Sequence, residues 1–113
     1  MERLEPILAA CARFRDRAGG LYDASCRAVL FGSRARGDAD ADSDVDLAVV
    51  VDLPMVDMVE EKRRLARLAY DVFEETGVLV SAWPVTETQW SDPATHANPA
   101  LVRAMRRDGV AIP

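Results

Sequence analysis

An α/β fold, with a small mixed sheet of three or more strands flanked by helices, is predicted by three features of this chain. Segments of helical and strand periodicity alternate along it in the order α-β-α-β-α-β-α. Leu47-Ala48-Val49-Val50-Val51 is an unbroken apolar run of strand length, as expected of a strand buried on both faces. Leu65, Leu68, Ala69, Val72 and Phe73 form a stripe at helical spacing, opposed by Glu60, Glu61, Arg63, Arg64, Arg67 and Glu74.

Each element has local reasons. Leu4, Ile7, Leu8, Cys11 and Phe14 recur at helical spacing, which predicts a first amphipathic helix over residues 3–18. Pro6 is tolerated in its first turn, and Gly19-Gly20 is expected to end it. Arg27 to Phe31 reads as a short buried strand. Gly32-Ser33 breaks it and leads into a helical turn around Arg34–Gly37, followed by a polar loop from Asp38 to Ser43. Asp44 to Val51 is the second strand. Its start alternates acid and aliphatic residues, so two carboxylates project to one side before the strand turns fully apolar. Pro54 opens the segment that leads to the second long helix, which Gly77 stops. Val78 to Val85 is a third strand, and Pro84 within it predicts a position near a sheet edge. Asn98-Pro99 starts a last helix, with Leu101, Val102 and Met105 on one side and Asp108-Gly109 at its end.

Composition narrows the function classes. A chain of 113 residues suits one compact domain, large enough to form a core without disulfide or zinc staples. No apolar run approaches the roughly 20 residues that span a bilayer, and Met1 to Pro6 lacks the pattern of a secretion signal. A cytoplasmic location, away from membranes, is the expectation. Cys11 and Cys26 read as small buried or half-buried thiols, and no CxxC or His-rich partner exists to build a zinc site. His96, the one histidine, reads as a surface residue of a loop. The net charge of −5 argues against direct duplex DNA binding, which rests on a basic face. That charge is concentrated: Asp38, Asp40, Asp42, Asp44 and Asp46 alternate within nine residues. Such a patch attracts divalent cations.

The acidic stretch makes chemical sense together with Gly32-Ser33. Two carboxylates at i and i+2 of a strand project to the same side and can approach one or two hard cations. Gly32 permits a close backbone approach, and Ser33 offers a hydroxyl and an N–H to a phosphate oxygen. Arg34 and Arg36 are placed to add charge opposite phosphates.

Gly32-Ser33, ten further residues and then Asp44-Val45-Asp46 resemble the signature of the polymerase-β-like nucleotidyltransferase superfamily. Phe31-Gly-Ser-Arg-Ala-Arg-Gly37 with Ser43-Asp-Val-Asp-Leu47 is similar to the minimal bacterial branch of that superfamily. In that branch a single short domain is usually encoded beside a helical HEPN-domain partner, and some members are antitoxins that adenylylate the partner. The resemblance is tight over residues 27–51 and looser, in helix–strand order, to about residue 85. It implies one nucleotidyltransferase-like domain over residues 1–113. It also implies a Mg2+-dependent transfer of a nucleoside monophosphate, AMP from ATP, to an acceptor such as a HEPN-type partner in a toxin–antitoxin pair. By the same resemblance Gly32 and Ser33 would hold the nucleotide phosphates, with Arg34 and Arg36 beside them. Asp44 and Asp46 would be the catalytic, metal-binding pair.

Two look-alikes fail on chemistry. Gly32 and Gly37 copy the glycine spacing of a P-loop, but Asp38-Ala39 stands where Lys-Ser/Thr is required. A calcium loop begun at Asp38 has Ser43 in place of the turn glycine and Val49 in place of the closing glutamate. A plain acidic turn with no ligand leaves the joint spacing and the buried strand behind it unexplained.

The third strand departs from the family pattern. Active members usually carry a third carboxylate there, and Val78-Leu79-Val80-Ser81-Ala82-Trp83 contains none. Ser81 stands in the expected place, and a serine hydroxyl is a weak neutral ligand that cannot act as a base near neutral pH. Glu74, Glu75 and Glu87 flank the strand, while Asp40 and Asp42 offer charge from the loop. The alternative to an active enzyme is therefore a nucleotide- and metal-binding module that neutralises a partner by complex formation. Trp83, Trp90 and the arginines of the last helix suit either a partner surface or packing at the core edge. A domain this small has no separate acceptor lobe, which points to a macromolecular acceptor or a homo-oligomer.

Overall fold

The computed structural model describes residues 4–22, 26–39, 44–54 and 57–113. Its elements are α1 (Leu4–Leu21), β1 (Cys26–Phe31), α2 (Ser33–Arg36), β2 (Val45–Val51), α3 (Met58–Thr76), β3 (Val80–Thr86), α4 (Glu87–Ser91), a 3-10 turn (Pro93–Thr95), α5 (Pro99–Asp108) and β4 (Val110–Ala111). The four strands form one mixed sheet in the order β3-β2-β1-β4. β1 runs antiparallel to both β2 and β4, while β3 lies parallel to β2 after the α3 crossover. β3 is an edge strand, as Pro84 required. An edge strand can spare the missing N–H.

β2 is central, and its two faces serve two cores. Val45, Leu47, Val49 and Val51 join Ile7, Cys11 and Phe14 of α1 and Leu65, Ala69 and Val72 of α3 in the larger cluster. Ala48, on the opposite face, joins Val29, Phe31, Val85, Val102 and Met105 beneath α5. Trp83, Trp90 and Leu101 pack against this smaller cluster, so both tryptophans contribute to the edge of a core. Arg27 lies 5.1 Å from the Trp90 ring centroid. Arg103, Arg106 and Arg107 of α5 are exposed.

Helix ends follow their side chains. The Asp57 carboxylate accepts from the Glu60 N–H to cap α3, and Gly77 closes it in the left-handed region. Asn98 caps α5 by accepting from Leu101 N–H, with Pro99 in the first turn. Thr86 and Gln89 form a reciprocal capping box that starts α4, a helix absent from the sequence expectation.

Four further expectations change. α1 does not end at Gly19-Gly20 but continues to Leu21. Ala18 and Tyr22 are buried on either side of the two glycines, and this packing outweighs their low helix propensity, about 1 kcal/mol each. Phe73 belongs to the exposed side of α3 (45% exposed), because the buried line runs through Leu65, Ala69 and Val72. Glu61 sits on that buried line: it is 8% exposed, accepts a hydrogen bond from the Tyr22 hydroxyl and pairs with Arg64. A charge there is tolerated because it is bonded on both sides. β4 is the fourth difference, a two-residue strand that no periodicity could reveal. The cysteines match their expected state: both are free, and burial pushes the Cys11 thiol up to about 12.

Gly109 makes the turn from α5 into β4. A Cβ there would meet the Met105 carbonyl oxygen at 2.2 Å and Val29 Cγ1 at 2.4 Å. Gly109→Ala is therefore expected to lower unfolding free energy by about 1–3 kcal/mol. Gly20→Ala, with nothing within 4 Å of the new Cβ, is expected to raise it by about 0.4–1 kcal/mol. Denaturant midpoints at constant m-value measure both, and a destabilised Gly20→Ala chain would contradict the continuous helix.

Candidate functional site

The register of β1 on β2 brings the two halves of the motif together. Phe31, the last residue of β1, pairs with Asp46, so the residue after Phe31 must pass over the Asp46 side chain. That residue is Gly32, at φ 77° and ψ −158°. A Cβ on it would lie 2.7 Å from Asp46 Oδ2. Glycine is needed here twice, for the positive φ and for the space.

α2 then carries the polar residues of the turn. Ser33 is half-buried and Arg36 is exposed, with Arg36 Nε 3.3 Å from Asp38 Oδ2. Arg34 is turned into the protein, only 8% exposed, rather than displayed on the surface beside Arg36. Gly37 closes the turn in the left-handed region, donating its N–H to the Ser33 carbonyl.

Asp44 is exposed just ahead of β2, and Asp46 is half-buried two residues later. Burial raises the Asp46 pKa above its ordinary 3.8, the neighbouring Trp83 indole and Arg36 hold it down partway, and the Asp44 charge raises it further. The Trp83 N–H itself is buried and makes no hydrogen bond of full geometry, so its contact with Asp46 is a loose electrostatic one. The site is thus a carboxylate pair at the start of β2, Asp44 just ahead of the strand and Asp46 within it, with an incomplete counter-charge. An added cation would relieve both the burial and the mutual repulsion.

Across β3 the parallel register sets Ser81 directly opposite Asp46. Ser81 is exposed and lines, with Asp44, Lys62 and Tyr70, an open cleft of about 370 Å3. The flanking acids are engaged or distant. Glu75 is ion-paired with Arg13 and Arg17 of α1. Glu87 makes a two-pronged bond to Arg27 at 3.0 and 3.1 Å, beyond the Val51–Thr86 end of the strand pair. Glu74 is exposed near the end of α3. Asp40 and Asp42 lie outside the described residues. Among the described residues, no three of His, Cys, Asp and Glu converge as a metal site.

One side chain beside this site escaped the sequence reading. Lys62, the only lysine, holds its ammonium 4.1 Å from the Trp83 ring centroid, and Trp83 in turn faces Asp46. Lys62 comes from the polar side of α3, where nothing in the pattern distinguishes it from Arg63 or Arg67. His96 is half-buried rather than on the open surface, and its Nδ1 accepts from the Asn98 N–H at 2.8 Å.

The raised pKa of Asp46 makes a signed stability prediction. A folded-state pKa above 3.8 gives a contribution fully present below about 3.8 and lost as pH climbs through the raised value. At neutral pH the ionised carboxylate therefore weakens the metal-free fold. Asp46→Asn is expected to melt at a higher temperature than the parent at pH 7, with the gap closing as pH falls toward 3.8. Calorimetry across that range tests it, and an Asn variant no more stable at pH 7 would contradict the burial effect.

The family profile described as the nucleotidyltransferase domain matches residues 11–104. Among solved structures, one described as a minimal nucleotidyltransferase is similar, at 25% identity and a TM-score of 0.49, over 91% of this chain and 93% of that one. No curated protein matches. Among the described residues, no helix is long and apolar enough to cross a membrane. The matched span runs from α1 into α5 and includes the Gly32–Asp46 contact, both carboxylates and all of β3: the chain belongs to the nucleotidyltransferase domain family.

Proposed function

We propose that this chain is a Mg2+-dependent nucleotidyltransferase that moves AMP from ATP to an acceptor, with a HEPN-type protein of a toxin–antitoxin pair as that acceptor. Nucleotidyl transfer at the general level follows from the family. The observation that supports the transferase reading is the close approach of Gly32 to Asp46, which would bring a turn able to receive phosphate beside a carboxylate able to hold a cation. The choice of acceptor rests on the resemblance of residues 27–51 to the minimal bacterial branch.

The donor set fits a hard cation. Magnesium is commonly held by one or two carboxylates, with water and substrate phosphate oxygens completing its shell. Asp44 and Asp46 supply that minimum, which is why a three-acid cluster is not required. When bound, the ion neutralises triphosphate charge. Gly32 and Ser33 receive phosphate oxygens through backbone N–H and hydroxyl groups, and Arg36 adds positive charge at the rim. Arg34, being buried, supports the turn from below.

In the reaction the acceptor hydroxyl oxygen bonds to the α-phosphorus, the bond from that phosphorus to the bridging oxygen breaks, and pyrophosphate leaves. The hydroxyl proton needs an acceptor, and Ser81 opposite Asp46 cannot take it. This observation favours a second reading, a module that binds nucleotide and metal and neutralises its partner without turnover. A cytoplasmic, single-domain protein over residues 1–113 suits either reading.

Labelled ATP, magnesium and the partner protein separate the two. Label on the partner, lost in Asp44→Asn and Asp46→Asn, is the expected result. Ser81→Asp, at an exposed position, is expected to raise the transfer rate by about 100-fold through restored proton transfer. Nucleotide-dependent thermal stabilisation with no label in any variant would overturn the transferase reading in favour of the binding module.

A further inference from the structure

The chain has two tyrosines, and they stand in opposite states. Tyr22 is 6% exposed, its hydroxyl donates to Glu61, and burial pushes its pKa up. Tyr70 is 65% exposed and lines the open cleft of about 370 Å3 that Asp44, Lys62 and Ser81 also line. We propose that Tyr70 is itself an acceptor of the nucleotidyl group, so that the chain adenylylates its own α3, an inference that rests on the transferase reading.

The helix face that carries Tyr70 leaves room for a substrate. Lys62, Ala66, Ala69 and Tyr70 follow one another at helical spacing and line the cleft together. The two alanines make a shallow wall between the long side chains, which stand about 12 Å apart along the helix axis. The facing wall is the start of β3, from Leu79 to Ala82. Val45 pairs with Val80, so Asp44 and Leu79 lie one residue ahead on the two strands, and both border the cleft. The carboxylate end of β2 therefore opens onto the same space as the Tyr70 ring. Lys62 puts one positive charge into that space, which suits a triphosphate.

The chemistry of the cleft favours a phenol. Ser81 offers no base for the acceptor's proton. A site without a base favours an acceptor that gives up its proton easily, and phenols do so far more readily than aliphatic hydroxyls. In the step, Tyr70 Oη bonds to the α-phosphorus of ATP, the bond from that phosphorus to the bridging oxygen breaks, and pyrophosphate leaves. The phenol proton passes to water, which the open cleft admits. The product is AMP held by its phosphorus on the tyrosine oxygen.

The test needs only the full chain, ATP and magnesium. Mass spectrometry is expected to show one AMP added to the chain and, after proteolysis, carried on Tyr70. Tyr70→Phe keeps the ring at an exposed position. It should lose the label, while MgATP still raises its melting temperature as in the parent. Asp46→Asn should lose the label too, since the step belongs to the chain's own site. A second readout needs no turnover: α,β-methylene ATP, at a concentration that saturates thermal stabilisation, is expected to slow nitration of Tyr70. Label on another residue, label retained in Asp46→Asn, or nitration unaffected by the bound analogue would overturn the self-acceptor. A chain that labels a partner protein but never itself would overturn it and leave the transferase reading intact. Label on neither would overturn both.

Discussion

The site depends on one close approach, that of the Gly32 backbone to the Asp46 carboxylate. The pairing of Phe31 with Asp46 leaves the chain no other path at the end of β1. Because Gly32 can lie flat on the carboxylate, α2 starts directly above it, and Arg36 comes within electrostatic reach of Asp46. A side chain at position 32 would push one of these apart. The same closeness excludes water from part of Asp46, which raises the free energy of its charged form. The fold therefore holds a carboxylate in a state that it does not itself satisfy. Such local conflicts between stability and environment gather at functional sites.

The sheet can hold this strain because its two faces are unequal. One face is sealed by α1 and α3 over a continuous aliphatic cluster, with fully buried Phe14, Leu47 and Leu65 fixing the platform. The other face carries Asp46 at one end and only a short cluster under α5. A rigid strand thus presents its carboxylate where the covering layer thins out, which is how precise placement and access coexist. Trp83 bridges the two zones, with its ring against the apolar cluster and its N–H edge toward Asp46.

The acids around the third strand show why proximity in sequence is a poor guide to chemistry. Glu75 ties α3 to α1 through Arg13 and Arg17, and Glu87 ties the start of α4 to β1 through Arg27. Exposed pairs of this kind contribute at most about 1 kcal/mol each, but they commit the carboxylates to other partners. Ser81 is left facing Asp46, in the register position where the family resemblance leads one to expect an acid. The question of turnover therefore comes down to one side chain on one strand.

Much of this architecture was legible in the sequence, because its signals are local. The period of Leu65, Ala69 and Val72, the aliphatic run of β2, the Pro84 edge signal and the caps at Asn98 and Gly77 act over a few residues. The same is true of Gly32-Ser33 and Asp44-Val45-Asp46, which carry the resemblance to the nucleotidyltransferase family that the match over residues 11–104 bears out. Other properties depend on what another part of the chain brings near. Two glycines stay helical because Ala18 and Tyr22 are packed, and Glu61 is buried because the Tyr22 hydroxyl reaches it. Arg34 turns inward while Arg36 does not, although both are equally basic. Lys62, Trp83 and His96 become neighbours of one cleft only when α3, β3 and the segment before α5 meet. The sequence by itself determined the elements and the motif, since propensity and spacing are short-range. Tertiary structure decided burial, pairing and access, since each requires a partner distant in the chain.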